Sequence, residues 1–378
     1  MANINIFDEM ERTMNKLKVA IIGTGMIANA AHIPAWKDLA DQVQIVAVAD
    51  DREQAARETA RRHGIPNHYT DYQKMLEAEK PDIVSVCTPN RFHKPAAIAA
   101  LRAGAHVLCE KPLSASAADA KEMYDEARAC GKLLCANQTM RFDPNVLAAK
   151  AFYDAGAVGR PYFVEANIIR RRGIPKWGFF HIDEYNAAGP GFDIGVHILD
   201  AILWILGAPK VLAVSGQTYR ELGDQNEGLL ESLSESGAPA GVFTPRPYDC
   251  SEFDVEDFAA GFVRLEGGIT LSLKASWALN APEESGVSYI SGTKGGVKLL
   301  PKAQLITNMA GYQVDVMPRI PAPRDVQFEG HYHTTSHFLK VIAGEAELLV
   351  KEDEVLNVLR VLDALYQSGR EGREITVL

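Results

Sequence analysis

Short apolar runs alternate with longer helical patterns over the first third of the chain. The runs Lys18–Gly23, Gln44–Asp50, Asp82–Thr88, His106–Glu110 and Leu133–Asn137 predict strands. Between them, Arg52–His63, His93–Ala103 and Ser116–Cys130 space their apolar positions with a helical period. Gly64, Gly104 and Gly131 stand where a left-handed C-cap would end each helix. This order predicts a parallel sheet covered by helices on both faces. After Pro144 the rhythm changes: Tyr162–Arg171, Val211–Thr218, Phe253–Leu265, Thr270–Trp277, Val287–Ser291 and Val297–Leu300 read as strands with few helices between them. A second, α+β domain with an antiparallel or mixed sheet is therefore expected. The nearly all-apolar helix Ile194–Leu206 lies early in it, and His333–Ile342 and Glu352–Tyr366 are its closing helices. Glu221–Cys250, rich in Gly, Pro, Ser and acids, reads as a solvated surface insertion, with a subunit contact as the second option. The expected division is residues 1–140 and 141–378, with the helix at about 352–369 a candidate to pack back on the first domain.

Length and composition narrow the class. The chain has 378 residues, enough for two domains at roughly 150 residues each. Its net charge of −10 excludes a broad basic footprint, so neither nucleic acid nor an anionic membrane is expected as a partner. Five cysteines, Cys87, Cys109, Cys130, Cys135 and Cys250, lack zinc-ribbon spacing and read as reduced thiols, which points to the cytoplasm. The N-terminal segment carries Asp8, Glu9 and Glu11 and no apolar core, so no signal peptide is expected; Ala2–Met14 reads as a disordered leader or an arm on a neighbouring subunit. No window is expected to span a bilayer.

Chemistry enters at the first turn. Gly23-Thr24-Gly25-Met26-Ile27-Ala28 follows a buried strand and opens a helix. Glycines in that context permit a tight turn and a close approach of a pyrophosphate to helix N–H groups. Asp50 ends the second strand, where an acid receives the adenosine ribose hydroxyls. Asp51 beside it adds negative charge against a 2′-phosphate, so NAD is expected over NADP, with Arg52 the residue that tempers this. A glycine turn used only for packing, with Asp50 as a helix cap, is the alternative.

Two further groups fall at the same sheet edge. Cys109-Glu110-Lys111-Pro112 follows the fourth predicted strand, which places a lysine facing the nicotinamide. Thr88-Pro89-Asn90 with His93 ends the preceding strand and offers a hydroxyl, an amide and an imidazole to the nicotinamide ribose; Pro and Asn starting a helix is nearly as good a reading. In Gly191-Phe192-Asp193-Ile194-Gly195-Val196-His197-Ile198-Leu199-Asp200, Asp193 and His197 share a helix face, with Asp200 nearby. Oxidation of a secondary alcohol needs a base for the hydroxyl proton, and a histidine oriented by carboxylates beside a polarising lysine meets that need. Asp193 as a helix cap and His197 as a hydrogen-bonded core residue stands equally open at this point.

Gly23–Ala28, Thr88-Pro89-Asn90, Glu110-Lys111-Pro112 and Gly191–Asp200, in that order, resemble the glucose-fructose oxidoreductase / inositol dehydrogenase / MocA-like family over nearly the whole chain. The resemblance implies a Rossmann domain followed by a domain with an open, mainly antiparallel sheet whose open face pairs subunits into homodimers or homotetramers. It implies Lys111, Asp193 and His197 as the catalytic trio, with His197 as proton acceptor and donor, Lys111 polarising the reacting oxygen and Asp193 positioning substrate and histidine. Glu110 and Lys111 would border the nicotinamide, and the Lys111–Pro112 bond is a candidate cis peptide.

Arg170-Arg171-Arg172-Gly173-Ile174-Pro175-Lys176-Trp177 leads from a strand into a loop over the cleft. Arg172 and Trp177 are the expected substrate contacts, guanidinium to oxygen and ring to pyranose face; Trp177 as a loop anchor is the other reading. His331, His333 and His337 have metal-like spacing, yet nicotinamide chemistry needs no metal. No metal is expected; unligated histidines at a helix start are the competing reading, and His333 contacting substrate fits better than His333 holding a metal. The expected activity is NAD-dependent oxidation of a ring hydroxyl of a sugar, glycoside or cyclitol such as inositol, in either direction. The rivals are an NAD-retaining glycosidase acting through transient oxidation and a non-catalytic NAD-binding sugar sensor.

Overall fold

The computed structural model describes residues 16–225, 240–282, 286–320 and 328–377; the expectation for Ala2–Met14 lies outside them. Among these residues, β1 (Leu17–Ile22), β2 (Val43–Ala49), β3 (Asn67–Tyr69), β4 (Ile83–Val86), β5 (His106–Cys109) and β6 (Leu134–Ala136) form one sheet in the order β3-β2-β1-β4-β5-β6. Every pairing in it is parallel. Helices cover both faces, so central strands are apolar throughout: all four residues of β4 are buried. β3 and the helix Tyr72–Glu79 were not legible in the pattern. β3 is three residues long and largely exposed, and the helix is started by Asp71, whose carboxylate accepts from the N–H groups of Gln73 and Lys74.

The second sheet contains β7 (Pro161–Ile169), β8 (Val211–Tyr219), β9 (Phe258–Leu265), β10 (Ile269–Ser276), β11 (Ser288–Gly292), β12 (Gly296–Leu300), β13 (Gln304–Met309), β14 (Tyr312–Val316) and β15 (Ile375–Thr376). Their order is β14-β13-β12-β11-β7-β10-β9-β8-β15. Among the described residues the pairing is antiparallel except between β7 and β10. That parallel pair matters, because it brings the C-terminal ends of β7 and β10 to the same edge. The β13–β14 hairpin turns through Ala310 and Gly311, both at positive φ, in a polar edge that gives no alternation signal.

The two closing helices tie the halves together. Glu352–Glu371 takes the Ala117 N–H on Asp363 Oδ2 at 2.8 Å on one side, and on the other its Ser368 Oγ accepts the Gly216 N–H of β8 at 3.0 Å. Glu329–Ile342 packs Phe338 and Leu339 into the core beside Ile33 and Trp36, under the first sheet. At the joint, Arg141 is fully buried, and its guanidinium donates to both oxygens of the equally buried Asp200 at 2.7 and 2.8 Å and to Glu354. Asp200 is therefore a structural anchor rather than a neighbour of the reaction site.

Two expectations are corrected by the fold. The insertion is not simply solvated: Phe243 stacks under the Arg62 guanidinium at 4.3 Å, Arg52 Nη1 donates to the Thr244 carbonyl at 3.2 Å, and Gly241 lies against Ala30. The part from Ala240 thus reaches across to the first domain; residues 226–239 lie outside the described set. The run Asp183–Ile205 is long and apolar enough for a membrane span, contrary to expectation, but 89% of its apolar window is buried inside the protein, as in a core helix.

Candidate active site

The cleft forms where the strands of the first sheet end, because each strand-to-helix turn there presents backbone N–H groups and side chains to one edge. Gly23 has φ of +91°, and a Cβ on it would stand 2.6 Å from the Cys87 backbone, so the turn passes close over the end of β4. A Cβ on Gly25 would meet nothing within 4 Å, which leaves open space beside the helix start. The opening is a cavity of about 670 Å³, large enough for a cofactor together with a small substrate.

Every sequence-expected cofactor residue lines it: Gly23, Gly25, Met26, Ile27, Asp50, Asp51 and Arg52 at one end, Thr88, Asn90, His93, Glu110 and Lys111 at the other. Their roles differ from expectation in two places. Asp50 Oδ2 accepts the Thr24 N–H at 2.8 Å and its hydroxyl at 2.9 Å, while Oδ1 accepts from Arg52 N and Nε, so the carboxylate is held in place with a cation beside it. His93 has no free nitrogen: Nδ1 lies 2.8 Å from the Pro112 carbonyl and Nε2 2.9 Å from the Thr88 carbonyl. Burial lowers its pKa, and a neutral ring donates to only one of the two carbonyls, so His93 braces one turn by a hydrogen bond and packs its other nitrogen against the second. Thr88 Oγ1, in contrast, is buried in the cavity wall without a partner among the described residues, as a group meant for a bound molecule is. An unbroken cleft running from an acid at the β2 end, past a glycine cradle, to a lysine at the β5 end fits a nicotinamide dinucleotide.

Across the cleft, Gly191–Gly195 forms a π-turn that runs into the helix Val196–Ile205. Such turns widen the helix and re-aim a side chain. Here it aims Asp193 at Lys111: Lys111 Nζ donates to the Asp193 carbonyl at 2.9 Å and to Oδ1 at 3.3 Å. Trp277 Nε1 donates to Oδ2 at 2.9 Å. Burial opposes a charge on Asp193, but Lys111, Arg170 and the Trp277 bond outweigh it and lower its pKa. The Lys111–Pro112 peptide is cis.

His197 lies one turn further on and is half-buried. Burial first, then the Lys111 ammonium, pushes its pKa down to about 3, so its imidazole is neutral. Its Nδ1 is buried without a partner among the described residues. Asp193 therefore does not orient His197 by a hydrogen bond, as the pattern had suggested, since its oxygens belong to Lys111 and Trp277. His197 is also absent from the described cavity wall.

The arginine run resolves differently from expectation. Arg172 is exposed and donates to Asn280 Oδ1 at 2.7 Å and to backbone carbonyls, away from the cleft. Arg170 is the member whose charge reaches Asp193, and Gly173 leaves room for its side chain to fold back. Trp177 does line the cavity, together with Phe179, Phe180 and Tyr185, but it is 9% exposed rather than open to solvent. His333 pairs with Glu329 and stacks on Phe142, and His337 accepts the Leu349 N–H, so neither reaches the cavity. Trp277, Arg170 and the aromatic wall were missed; the signal was that β7 and β10 end at one edge, which only the sheet order reveals.

A family described as "Oxidoreductase family, NAD-binding Rossmann fold" matches residues 17–138, and the GFO/IDH/MocA C-terminal domain matches residues 146–298. D-glucoside 3-dehydrogenase of Escherichia coli K12 is 34% identical over 365 residues, covering 96% of this chain and 98% of that protein. Levoglucosan dehydrogenase of Pseudarthrobacter phenanthrenivorans is 26% identical over 298 residues, 75% of this chain and 73% of the relative. Among solved structures, a levoglucosan dehydrogenase complex with NADH superposes with a TM-score of 0.80 at 22% identity over 96% of this chain and 99% of that one. An aldose-aldose oxidoreductase from Caulobacter crescentus complexed with glycerol gives 0.75 at 24%, over 96% and 100%. The chain belongs to the GFO/IDH/MocA oxidoreductases and is an NAD-binding oxidoreductase.

Proposed function

We propose that the chain oxidises a ring hydroxyl of a sugar, glycoside or cyclitol to a ketone, or runs the reverse, at the Lys111–Asp193 edge of the dinucleotide cleft, with His197 one helical turn behind it. The observation that carries this reading is the Lys111 ammonium, fixed against Asp193 inside the cavity that holds the glycine turn. NAD, when bound, supplies the hydride acceptor. Lys111 Nζ donates a hydrogen bond to the reacting oxygen and stabilises charge as it develops there. The hydroxyl proton is assigned in this reading to His197 Nε2, since Nδ1 is enclosed; because burial and the Lys111 ammonium weaken this imidazole as a base and it stands outside the described cavity wall, the substrate hydroxyl has to be carried past Asp193 to reach it. Trp177, Phe179, Phe180 and Tyr185 line the same cavity and give it an apolar wall suited to the C–H face of a pyranose. The names of the relatives, D-glucoside 3-dehydrogenase and levoglucosan dehydrogenase, support this substrate class.

The same reading includes self-association. On the outer face of the second sheet Tyr219 stacks on Phe258 and Phe262 stands 56% exposed, an apolar patch that a second copy would cover.

The test follows NADH absorbance with NAD and NADP in parallel over inositols, aldoses, anhydrosugars and glycosides. Signal with NAD on one ring-hydroxyl class, lowered about 1,000-fold by Lys111→Ala while NAD still binds, is expected. Silence over the whole panel with NAD bound, or full turnover in Lys111→Ala, overturns the reading.

A further inference from the structure

Glu110 is 5% exposed, and its carboxylate gathers donors from across the chain. Oε1 accepts from His32 Nε2 at 2.8 Å, from Asn137 Nδ2 at 2.6 Å and from His331 Nε2 at 3.1 Å. Oε2 accepts the backbone N–H of Lys111 at 3.2 Å. Burial alone would raise the Glu110 pKa; the bonds from His32 and His331 overrule it and hold the carboxyl well below the usual range. His32 Nδ1 lies 3.2 Å from Ser85 Oγ, which already accepts the Trp36 indole N–H. A serine hydroxyl with one accepted bond is free to donate, so the His32 proton sits on Nε2 and faces Glu110.

The donors have unrelated origins. His32 ends the π-turn that follows the glycine cradle, and Asn137 follows β6. His331 comes from the Glu329–Ile342 helix, more than 200 residues after the carboxylate it meets. A specific feature brings it there. A Cβ on Gly330 would lie 2.9 Å from Thr139 Cβ and 3.1 Å from the Thr139 carbonyl, so only glycine lets the helix start close up to the end of β6.

We propose that His331 is a positioning residue for the reaction: with His32 and Asn137 it fixes the Glu110 carboxylate, which fixes the Lys111 backbone and so the ammonium against Asp193. The inference rests on the reading of Lys111 as the polarising group. The ligand atoms of His32, Glu110 and His331 lie within 4.8 Å of one another, near enough for a divalent ion, but each already has a hydrogen-bonding role here.

The experiment is a double-mutant cycle on kcat, with NAD affinity measured beside it. His331→Leu, which removes the donor at similar volume, is expected to lower kcat about 100-fold, as a misplacement of about 1 Å does, with NAD affinity changed by less than about 3-fold. His331→Gln, which retains a donor, recovers most of that loss. In a Lys111→Ala background the same His331→Leu change costs less than about 3-fold, because the group it positions is gone. An equal loss in both backgrounds overturns the proposal in favour of general structural support. Full turnover in Lys111→Ala alone overturns the catalytic reading of Lys111 instead. Should His331→Leu fail to fold, Gly330→Ala keeps all four side chains and displaces only the helix start. It enters the same cycle, and an equal loss in both backgrounds again overturns the proposal. Loss of activity on chelation, restored by zinc, would replace the hydrogen-bonded clamp with a metal.

Discussion

The cofactor wall of the cleft takes its groups from successive strand ends, Gly23 after β1, Asp50 after β2, Thr88 after β4 and Glu110 with Lys111 after β5. The substrate wall takes Asp193 from a π-turn, Trp177 from a loop and Tyr185 from the short helix Asp183–Asn186, with Arg170 and Trp277 supporting Asp193 from the ends of two strands over 100 residues apart. In the first wall, one local unit repeats, and its geometry forces each turn to the same edge, so spacing along the chain equals placement in space. In the second, placement depends on sheet order. β7 and β10 are parallel neighbours because a strand inserted late pairs beside an early one, and no local pattern announces that.

Two aspartates on one helical stretch give the largest contrast. Asp193→Ala removes the side-chain acceptor of both Lys111 and Trp277 and should lower kcat by about 100- to 1,000-fold, with a stability loss of about 1–3 kcal/mol from the stranded Trp277 N–H. Asp200→Ala leaves the Arg141 guanidinium buried and half-paired, which should cost about 3–5 kcal/mol of stability while the surviving folded enzyme turns over normally. Denaturant unfolding and steady-state rates on both variants check the pair. A kcat loss in Asp200→Ala equal to that of Asp193→Ala would merge the two roles.

Asp50→Asn probes the cofactor wall with a smaller effect. The amide keeps a hydrogen bond from Thr24 but loses the charge that repels a 2′-phosphate and frees Arg52 from its ion pair. The ratio of NADP to NAD use should rise about 10-fold or more, read from kcat/KM with each cofactor, since a change of about 1.4 kcal/mol in relative binding is one decade. An unchanged ratio would mean that the adenosine end is set elsewhere, with the Gly241–Thr244 arm against Arg52 and Arg62 the next place to look.

Legibility followed the same division. The parallel sheet, the glycine turn, Asp50, Glu110 and Lys111 were all readable because each is fixed within one strand-turn-helix unit. Asp193 was readable as a site residue, but its partners were not: its pairing with Trp277 depends on β10 lying beside β7. The partners of His93 were not readable: it lines the cleft as expected, but its two nitrogens lie against the carbonyls of Thr88 and Pro112, which no local pattern announces. The insertion was misread because Gly, Pro and acidic residues mark a loop without saying what the loop touches.

The arginine run supplies the finest test of the substrate wall. Side chains alternate along a strand, which would put Arg170 and Arg172 on one face and Arg171 on the other. β7 ends at Ile169, however, so regular alternation stops before the run begins. Arg170 keeps the strand's direction through its backbone bond to Ser276 and reaches toward Asp193, while Arg172 turns out to a bridge with Ala278 and to Asn280. Arg170→Ala should therefore raise the sugar KM by about 10-fold, the scale of one charge-assisted hydrogen bond, and Arg172→Ala should leave it within about 2-fold. The reverse ranking would mean that the loop closes over substrate with Arg172 swung inward, and the exposed guanidinium would then be the specificity contact.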